Sequence, residues 1–258
     1  MIFGKRHEAN GPQQHFSLAD TQKTLHKNLA FTAVEQYKLL RTNLSFSLPE
    51  TDGCSIIGVT SSMRGEGKST TSINLAYVLA ESGKKVLLID GDLRIPTVAK
   101  KLDVDIPYGL TDLLRRESKL DIEVLKSPFH EKWYILPSGM IPPNPSELLG
   151  SKRMKDALEE LSNYFDYIVV DLPPVNIVSD AVAISKYITG MIVVVRQEYT
   201  EKKELATCFR QLRLSSVNIL GCVMNETRSD KAYYSKYKYK RNYRYYKKSG
   251  YYEYQEKS

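Results

Sequence analysis

The 258-residue chain has few cysteines and no long apolar stretch, and both absences narrow its class. Its three cysteines, Cys54, Cys208 and Cys222, are far apart and odd in number, which argues against a disulfide framework or a cysteine metal site. Its four histidines form no ligand cluster. No apolar run approaches the ~18 residues of a membrane helix, and the first residues lack the apolar core of a signal peptide. We therefore expect a cytoplasmic protein with reduced thiols.

Residues 1–227 also lack a net charge. The net charge is +7, but residues 228–258 hold ten Lys and Arg against three Asp and Glu, so the other residues are neutral. The same segment contains ten of the 18 tyrosines: Tyr233, Tyr234, Tyr237, Tyr239, Tyr243, Tyr245, Tyr246, Tyr251, Tyr252 and Tyr254. With almost no aliphatic residues it cannot form a core, so we predict a disordered tail. Basic aromatic tails can also bind RNA or anionic lipid, which remains an alternative.

One stretch, Ser61 to Thr70, has the residues of a phosphate-binding loop. Ser55–Thr60 predicts a buried strand before it, and apolar residues at helical spacing in Thr71–Ala80 predict a helix after it, which Gly83 ends. Gly-Lys-Ser in this context is typical of a P-loop, although the strict pattern has glycine where Ser62 stands. The residues expected to bind nucleotide are Arg64, Gly65, Glu66, Gly67, Lys68, Ser69 and Thr70. A chance Gly-Lys-Ser on a surface turn is the alternative.

Two later strands are predicted to end in carboxylates. The apolar segment from Lys85 ends in Asp90, with Asp92 two residues later, and the segment Tyr167–Asp171 ends in a single acid. Ligands of doubly wound sheets bind beyond the carboxyl ends of the strands, so these acids are candidate site residues. A strand ending in Asp after a P-loop is also the Walker B arrangement, in which the acid holds the metal's water shell. Acidic strand ends are also common in ordinary turns.

Strands and helices alternate along the rest of the chain, which predicts an α/β fold with a doubly wound, mainly parallel sheet and helices on both faces. Further strands are predicted at 132–136, 191–195 and 217–224, and helices at 111–116, 146–165, 179–186 and 201–214. Asn225, after the last strand, is placed to contact a nucleotide base, or is an ordinary turn residue. The predicted organisation is an N-terminal arm (1–30), a P-loop domain (31–227) and the tail (228–258).

A helix predicted at Phe31–Leu48 carries charged residues every third position, at Glu35, Lys38 and Arg41. One interpretation is that these charged side chains simply face the solvent.

Together, the P-loop, the two acidic strands and the terminal tyrosines resemble the bacterial tyrosine kinases of Gram-positive capsule and exopolysaccharide systems. The resemblance covers roughly residues 31–258. Partitioning and cell-division ATPases with a deviant P-loop share the fold, but they usually carry lysine where Met63 stands here. The Glu35, Lys38 and Arg41 spacing resembles the family's oligomerisation motif, which usually has arginine at the middle position. The resemblance therefore favours a subunit interface on this helix.

The resemblance implies phosphorylation of tyrosine by ATP with Mg²⁺, mainly on the tails of sister subunits. It implies that Lys68 neutralises charge on the transferred phosphoryl group, that Ser69 and Asp92 ligate Mg²⁺, and that Asp171 holds the metal's water. Asp90 is the implied acceptor of the tyrosine proton. A free aspartate of pKa ~3.9 is a weak base for a phenol of pKa ~10, so positioning matters more than base strength.

The resemblance also implies partners: a homo-oligomeric ring, the cytoplasmic end of a membrane-spanning polysaccharide co-polymerase that recruits and activates the kinase at the inner membrane face, and a cognate tyrosine phosphatase. No nucleic acid is expected as a partner. Two competing hypotheses are an ATPase switch that dimerises on nucleotide, and a nucleic-acid-binding module that uses the basic tail. The neutral body and the density of tyrosines favour the kinase.

Overall fold

A six-stranded parallel sheet forms the centre of the protein. The computed structural model describes residues 29–49, 53–115 and 121–227. The strands are β1 Ser55–Ser61, β2 Val86–Asp90, β3 Trp133–Leu136, β4 Tyr167–Asp171, β5 Gly190–Arg196 and β6 Ile219–Asn225. Their order in the sheet is β3-β2-β4-β1-β5-β6, and every pairing between them is parallel. All six carboxyl ends therefore meet at one edge.

Eight α-helices accompany these strands in the described residues. They are α1 Phe31–Ser47, α2 Lys68–Glu81, α3 Val98–Leu102, α4 Leu110–Arg115, α5 Pro145–Leu149, α6 Lys152–Leu161, α7 Asp180–Ile184 and α8 Lys202–Leu214, with 3₁₀ turns at Ile122–Leu125 and Ser185–Tyr187. None of the helices in these ranges is both long and apolar enough to cross a bilayer.

Side chains alternate between the two faces of the sheet, and each face is covered by its own helices. Leu87 and Ile89 of β2 pack in one core with residues of α4 to α8. Val86 and Leu88 of the same strand pack in a second core with residues of α1, α2 and α3. All four side chains are fully buried, as expected for a parallel strand between two helical layers. The predicted doubly wound parallel fold is confirmed.

The predicted helix over 146–165 is wrong, because the structure divides it into α5 and α6. Gly150 and Ser151 separate the two helices. The Ser151 hydroxyl accepts a hydrogen bond from Met154 N and so caps the start of α6. Ser146, where the predicted helix starts, lies inside α5 and donates its hydroxyl to Asp180. A glycine followed by a capping serine favours a new helix start over a continuous helix.

Most other predicted elements match, including the first helix, the strand after Lys132 and the short helices between 95 and 130. The proposed limits of the arm, the P-loop domain and the tail stay predictions. All ten tail tyrosines and residues 1–28 lie outside the described residues.

Two loops at the carboxyl edge of the sheet approach each other through glycine main chain. A Cβ atom added at Gly109 would lie 2.3 Å from the Cα and N atoms of Gly139. Leu110 N and Thr111 N donate to Pro137 O and Ser138 O at 2.7 and 3.0 Å, so the two loops are also hydrogen-bonded. Because backbone faces backbone, no side-chain rotation can relieve a clash there.

We therefore expect Gly109→Ala to lower the free energy of unfolding by about 3 kcal/mol, the cost of overpacking a site that cannot relax. Urea unfolding followed by circular dichroism measures the loss. Gly53→Ala is the matched control, since a Cβ there meets nothing within 4 Å. Equal stability of the two variants would contradict the close approach.

Candidate active site

The P-loop connects β1 to α2 at the carboxyl edge of the sheet. Gly65 and Gly67 have φ values of 80° and 94°, in the left-handed region where L side chains are strained. A Cβ at Gly67 would also lie 1.9 Å from Asn225 Nδ2. Gly67 is the residue that precedes the first turn of α2, so the loop presents main-chain N–H groups and a helix N-terminus to the same point. This is the geometry of a phosphate site.

Glu66, predicted to bind nucleotide, is fully buried and holds the loop together. Its carboxylate accepts hydrogen bonds from the Ser62 hydroxyl and Met63 N, each at 2.8 Å, and from the Thr200 hydroxyl. The bond from Ser62 shows why the chain tolerates serine at the position where the strict pattern has glycine. With its carboxylate used in this way, Glu66 offers a phosphate only its main-chain N–H.

The end of β5 also holds the loop, through residues that the sequence did not single out. Arg196 Nη1 donates to Gly65 O at 3.0 Å, and the Tyr199 hydroxyl donates to Arg64 O at 3.1 Å. The Arg196 guanidinium lies 4.9 Å from the centre of the Tyr199 ring. Thr200 belongs to the same group of residues. Their only sequence signal is that they directly follow a predicted strand, whose carboxyl end must lie at this edge.

Asn225, at the end of β6, lies against the P-loop as its position predicted. Its Nδ2 donates to Glu66 O at 3.0 Å. The amide thus supports the loop. Its contact with a nucleotide base stays a prediction.

Lys68, the P-loop lysine, is paired with a carboxylate of the next strand. Its ammonium lies 2.8 Å from Asp92 Oδ2, and both side chains are nearly buried. Burial by itself lowers the pKa of Lys68, but the carboxylates of Asp171, Asp92 and Asp90 outweigh it and raise the pKa. The ammonium therefore stays charged and lies among three acids.

Asp90 is buried, and its oxygens accept main-chain hydrogen bonds. Oδ2 accepts from Thr97 N at 3.0 Å and Val98 N at 2.9 Å, at the start of α3. Burial raises the pKa of the Asp90 carboxyl to about 7, and the neighbouring Asp171 carboxylate adds to the rise. The bond from Val98 N and the Lys68 ammonium oppose it. A carboxyl with this pKa can take up a proton near neutral pH, unlike the free aspartate assumed from sequence.

Asp171 ends β4 beside α2. Its Oδ1 accepts a hydrogen bond from the Ser72 hydroxyl at 3.2 Å, while its Oδ2 is buried without a hydrogen-bond partner among the described residues. Burial raises the pKa of Asp171, and the Lys68 ammonium and Ser69 hydroxyl oppose the rise. A buried carboxylate oxygen without a donor is a position where a cation or a water bound to it fits.

The donor set around Asp171 fits Mg²⁺. The hydroxyl of Ser69 and the carboxylates of Asp92 and Asp171 are oxygen ligands, and Mg²⁺ is usually bound by one or two carboxylates together with substrate phosphates and water. Consistently, the described ranges contain no cluster of three or more His, Cys, Asp or Glu side chains that would bind a metal by itself. Lys68 donates to Asp92 Oδ2, so a cation held by Asp92 would share this carboxylate with the ammonium or displace it.

The three residues predicted at a subunit interface lie on α1, which packs on α2. Lys38 Nζ donates to Glu35 Oε1 at 3.0 Å, and both side chains are 44% exposed. Arg41 Nη1 instead donates to Val78 O of α2 at 2.8 Å, within the same chain. Their role in assembly stays a prediction.

The raised pKa of Asp90 should make the free energy of unfolding depend on pH. Between its ordinary pKa of 3.8 and about 7, the folded protein holds a proton that the unfolded chain has lost. The free energy of unfolding therefore falls as pH rises through this window, by about 1.4 kcal/mol per pH unit for one proton. Asp90→Asn binds no such proton, so we expect a correspondingly flatter profile.

Urea unfolding of the nucleotide-free protein between pH 4 and 8 measures this difference. Glu131→Gln, at an exposed position, is the control and should keep the wild-type profile. An Asp90→Asn profile parallel to that of the wild type would contradict the assignment.

The chain is similar to several known proteins. A family model described as an AAA domain matches residues 54–218. Tyrosine-protein kinase YwqD of Bacillus subtilis is 40% identical over 80% of this chain and 85% of its own length. The crystal structure of the chimerical protein CapA2B2 superposes with a TM-score of 0.73 at 31% identity, over 82% of this chain and 91% of the other.

The P-loop fold is shared more widely. The septum site-determining protein MinD of Pyrococcus horikoshii, solved as a complex with Mg-ADP, has a TM-score of 0.57 and 26% identity over 69% of this chain and 72% of the other. That similarity supports binding of a nucleotide and Mg²⁺ in general. The identity and coverage of the kinase relative are higher, and we conclude that this chain belongs to the family of bacterial tyrosine-protein kinases.

Proposed function

We propose that this kinase transfers phosphoryl groups from ATP to the tyrosines of its own C-terminal tail, between subunits, and so regulates the synthesis and export of capsule or exopolysaccharide. The observation that carries the proposal is Asp90, a buried carboxyl whose pKa is raised to about 7 beside the P-loop lysine. A general base is most effective when its pKa lies near the working pH. A phosphate site alone would not need such a group.

The position of the last strand supports the tail as substrate. β6 ends at Asn225 on the carboxyl edge, four strand positions from β2 and Asp90. Strands are ~4.8 Å apart, so the tail begins ~19 Å from the site. The ten residues from Thr227 to Tyr237 can span ~33 Å. Tail tyrosines can therefore reach a site at this edge, and that of a neighbouring subunit.

Each site residue has a separable role in this proposal. The P-loop N–H groups and Lys68 bind and orient the phosphates, and the ammonium leaves Asp92 as they enter. Ser69, Asp92 and Asp171 would hold Mg²⁺, which when bound neutralises charge on the β- and γ-phosphates. Asp90 accepts a hydrogen bond from the acceptor hydroxyl and then its proton. The N–H groups of Thr97 and Val98 keep its carboxylate in one orientation.

The remaining parts of the proposal concern assembly and place in the cell. Subunits would form a ring, with Glu35, Lys38 and Arg41 of α1 at the contacts. The cytoplasmic end of a membrane-spanning polysaccharide co-polymerase would recruit this cytoplasmic kinase to the inner membrane face and activate it. A cognate tyrosine phosphatase would reset the tail. These relations are what the family resemblance implies.

A second candidate is an ATPase switch of the MinD type, which the shared P-loop fold favours. The two functions differ in the fate of the phosphoryl group. A switch hydrolyses ATP and remains unlabelled, whereas a kinase labels its own tyrosines. Intact mass after incubation with Mg·ATP separates them.

We expect Lys68→Met to reduce tail phosphorylation by at least ~100-fold, because the variant cannot neutralise the transferred charge. Intact mass after incubation with Mg·ATP measures the change, and circular dichroism checks the fold. Lys84→Met, at an exposed position, is the matched control and should behave as wild type. Wild-type labelling of the Lys68 variant would exclude the P-loop as the transfer site.

Transfer between subunits makes a second prediction. Full-length Lys68→Met protein is mixed with a full-length active chain whose ten tail tyrosines are Phe. The inactive chain should acquire phosphotyrosine, because only it carries acceptors, and the initial rate should depend on the concentration of both chains. Mass spectrometry of the separated chains measures the label. If the wild type labels itself but the inactive chain in the mixture stays unlabelled, transfer is within one subunit.

A further inference from the structure

Two adjacent apolar side chains are exposed in the loop between β3 and α5. Met140 is 59% and Ile141 63% exposed. Pro142, which is buried, and Pro143 follow them and restrict the backbone. A rigid loop that presents two large apolar side chains to solvent is a candidate contact surface.

The loop that carries Met140 and Ile141 lies beside Asp90, the proposed general base. Leu136, the last residue of β3, is paired with Ile89 of β2, the residue before Asp90. Neighbouring strands are ~4.8 Å apart, and the three residue steps from Pro137 to Met140 advance at most ~10 Å. Met140 is therefore within ~15 Å of Asp90, a distance that four or five residues of an extended peptide can cover.

The loop has a fixed position relative to the body. Its first residues accept hydrogen bonds from α4, at Pro137 O and Ser138 O. Gly139 has a φ of 75° and contacts Gly109 and Asp112. The two exposed side chains thus extend from a loop whose first residues are held in place.

The surroundings of Met140 and Ile141 are acidic. Asp112 lies against Gly139, and Glu147 is exposed and accepts a hydrogen bond from Asn144 at 2.6 Å. Asp105 is exposed in the segment that leads to α4. The charge of Arg94, on the same edge, is paired with Asp180 at 2.9 Å. Asp112 and Glu147 therefore place negative charge close to the apolar pair.

We propose that Met140 and Ile141 dock the acceptor segment, residues 228–258 of a second copy of this chain. That segment has the complementary chemistry, with ten tyrosines among ten Lys and Arg and only three acids. Tyrosine rings next to the acceptor pack on the two apolar side chains, with sulfur–aromatic contact at Met140. The neighbouring basic residues face Asp105, Asp112 and Glu147. The inference rests on the proposed function and adds the surface that selects the acceptor.

The test uses a full-length kinase whose ten tail tyrosines are Phe, with a synthetic peptide of residues 228–258 as substrate. Changing Met140→Ser and Ile141→Ser together should raise the KM for the peptide by ~10-fold, since two apolar contacts are lost. kcat and the Kd for nucleotide should stay unchanged. Without nucleotide, fluorescence anisotropy of the labelled peptide should show the same loss of affinity. Glu147→Gln should weaken the binding of this basic peptide and reduce its salt dependence.

Leu214→Ser is the matched control, because Leu214 is 81% exposed on α8 and far from this edge. An unchanged peptide KM, or an equal rise with Leu214→Ser, would overturn the proposal. Loss of the ring with an unchanged peptide KM would make the loop a subunit contact instead and would also overturn it. A wild type that fails to label any tyrosine would instead refute the proposed function, so the two failures are distinguishable.

Discussion

The burial of three carboxylates and one ammonium at a single sheet edge is the constraint on which the site depends. Asp90, Asp92 and Asp171 end neighbouring parallel strands or the loop after one, so their charges cannot separate. The Lys68 ammonium partly balances them, but burial, with mutual repulsion of the carboxylates as a smaller cause, still raises the pKa of Asp90 and Asp171. A bound phosphate with its cation would replace these internal pairings. The site thus has the charged groups needed to bind a phosphate together with a cation.

Hydrogen bonds from other parts of the chain hold the P-loop in shape. Glu66 joins the loop's own groups to Thr200, while Arg196 and Asn225 donate to its carbonyl oxygens. These supports come from the ends of β5 and β6, on the far side of β1 from Asp90. The sheet order therefore separates two tasks, since the phosphate cradle is held from one side and the acids lie on the other. Little reorganisation of the loop is needed when nucleotide binds, which favours catalysis by positioning.

The proposed docking loop and the start of the tail lie at the same edge of the sheet as the acids. β3 lies next to β2, so the loop with Met140 and Ile141 lies beside the base, while β6 starts the tail at the opposite end of the strand order. A basic, tyrosine-rich segment and an apolar pair with acidic residues close by are complementary in charge and in surface. Under the proposed function, this complementarity would bring the tail tyrosines of one copy to the site of another.

The sequence by itself determined the fold class, the P-loop and the three acids, because apolar runs ending in Asp, and a glycine loop between strand and helix, are local patterns. It did not reveal the break at Gly150, where a capping serine overrides a long helical pattern. It also could not show that Arg196, Tyr199 and Thr200 support the P-loop. Their hydrogen bonds to Gly65, Arg64 and Glu66 join segments more than 100 residues apart in the chain. The pKa of Asp90 was likewise decided only by tertiary structure, because burial and the approach of Asp171 across a neighbouring strand set it.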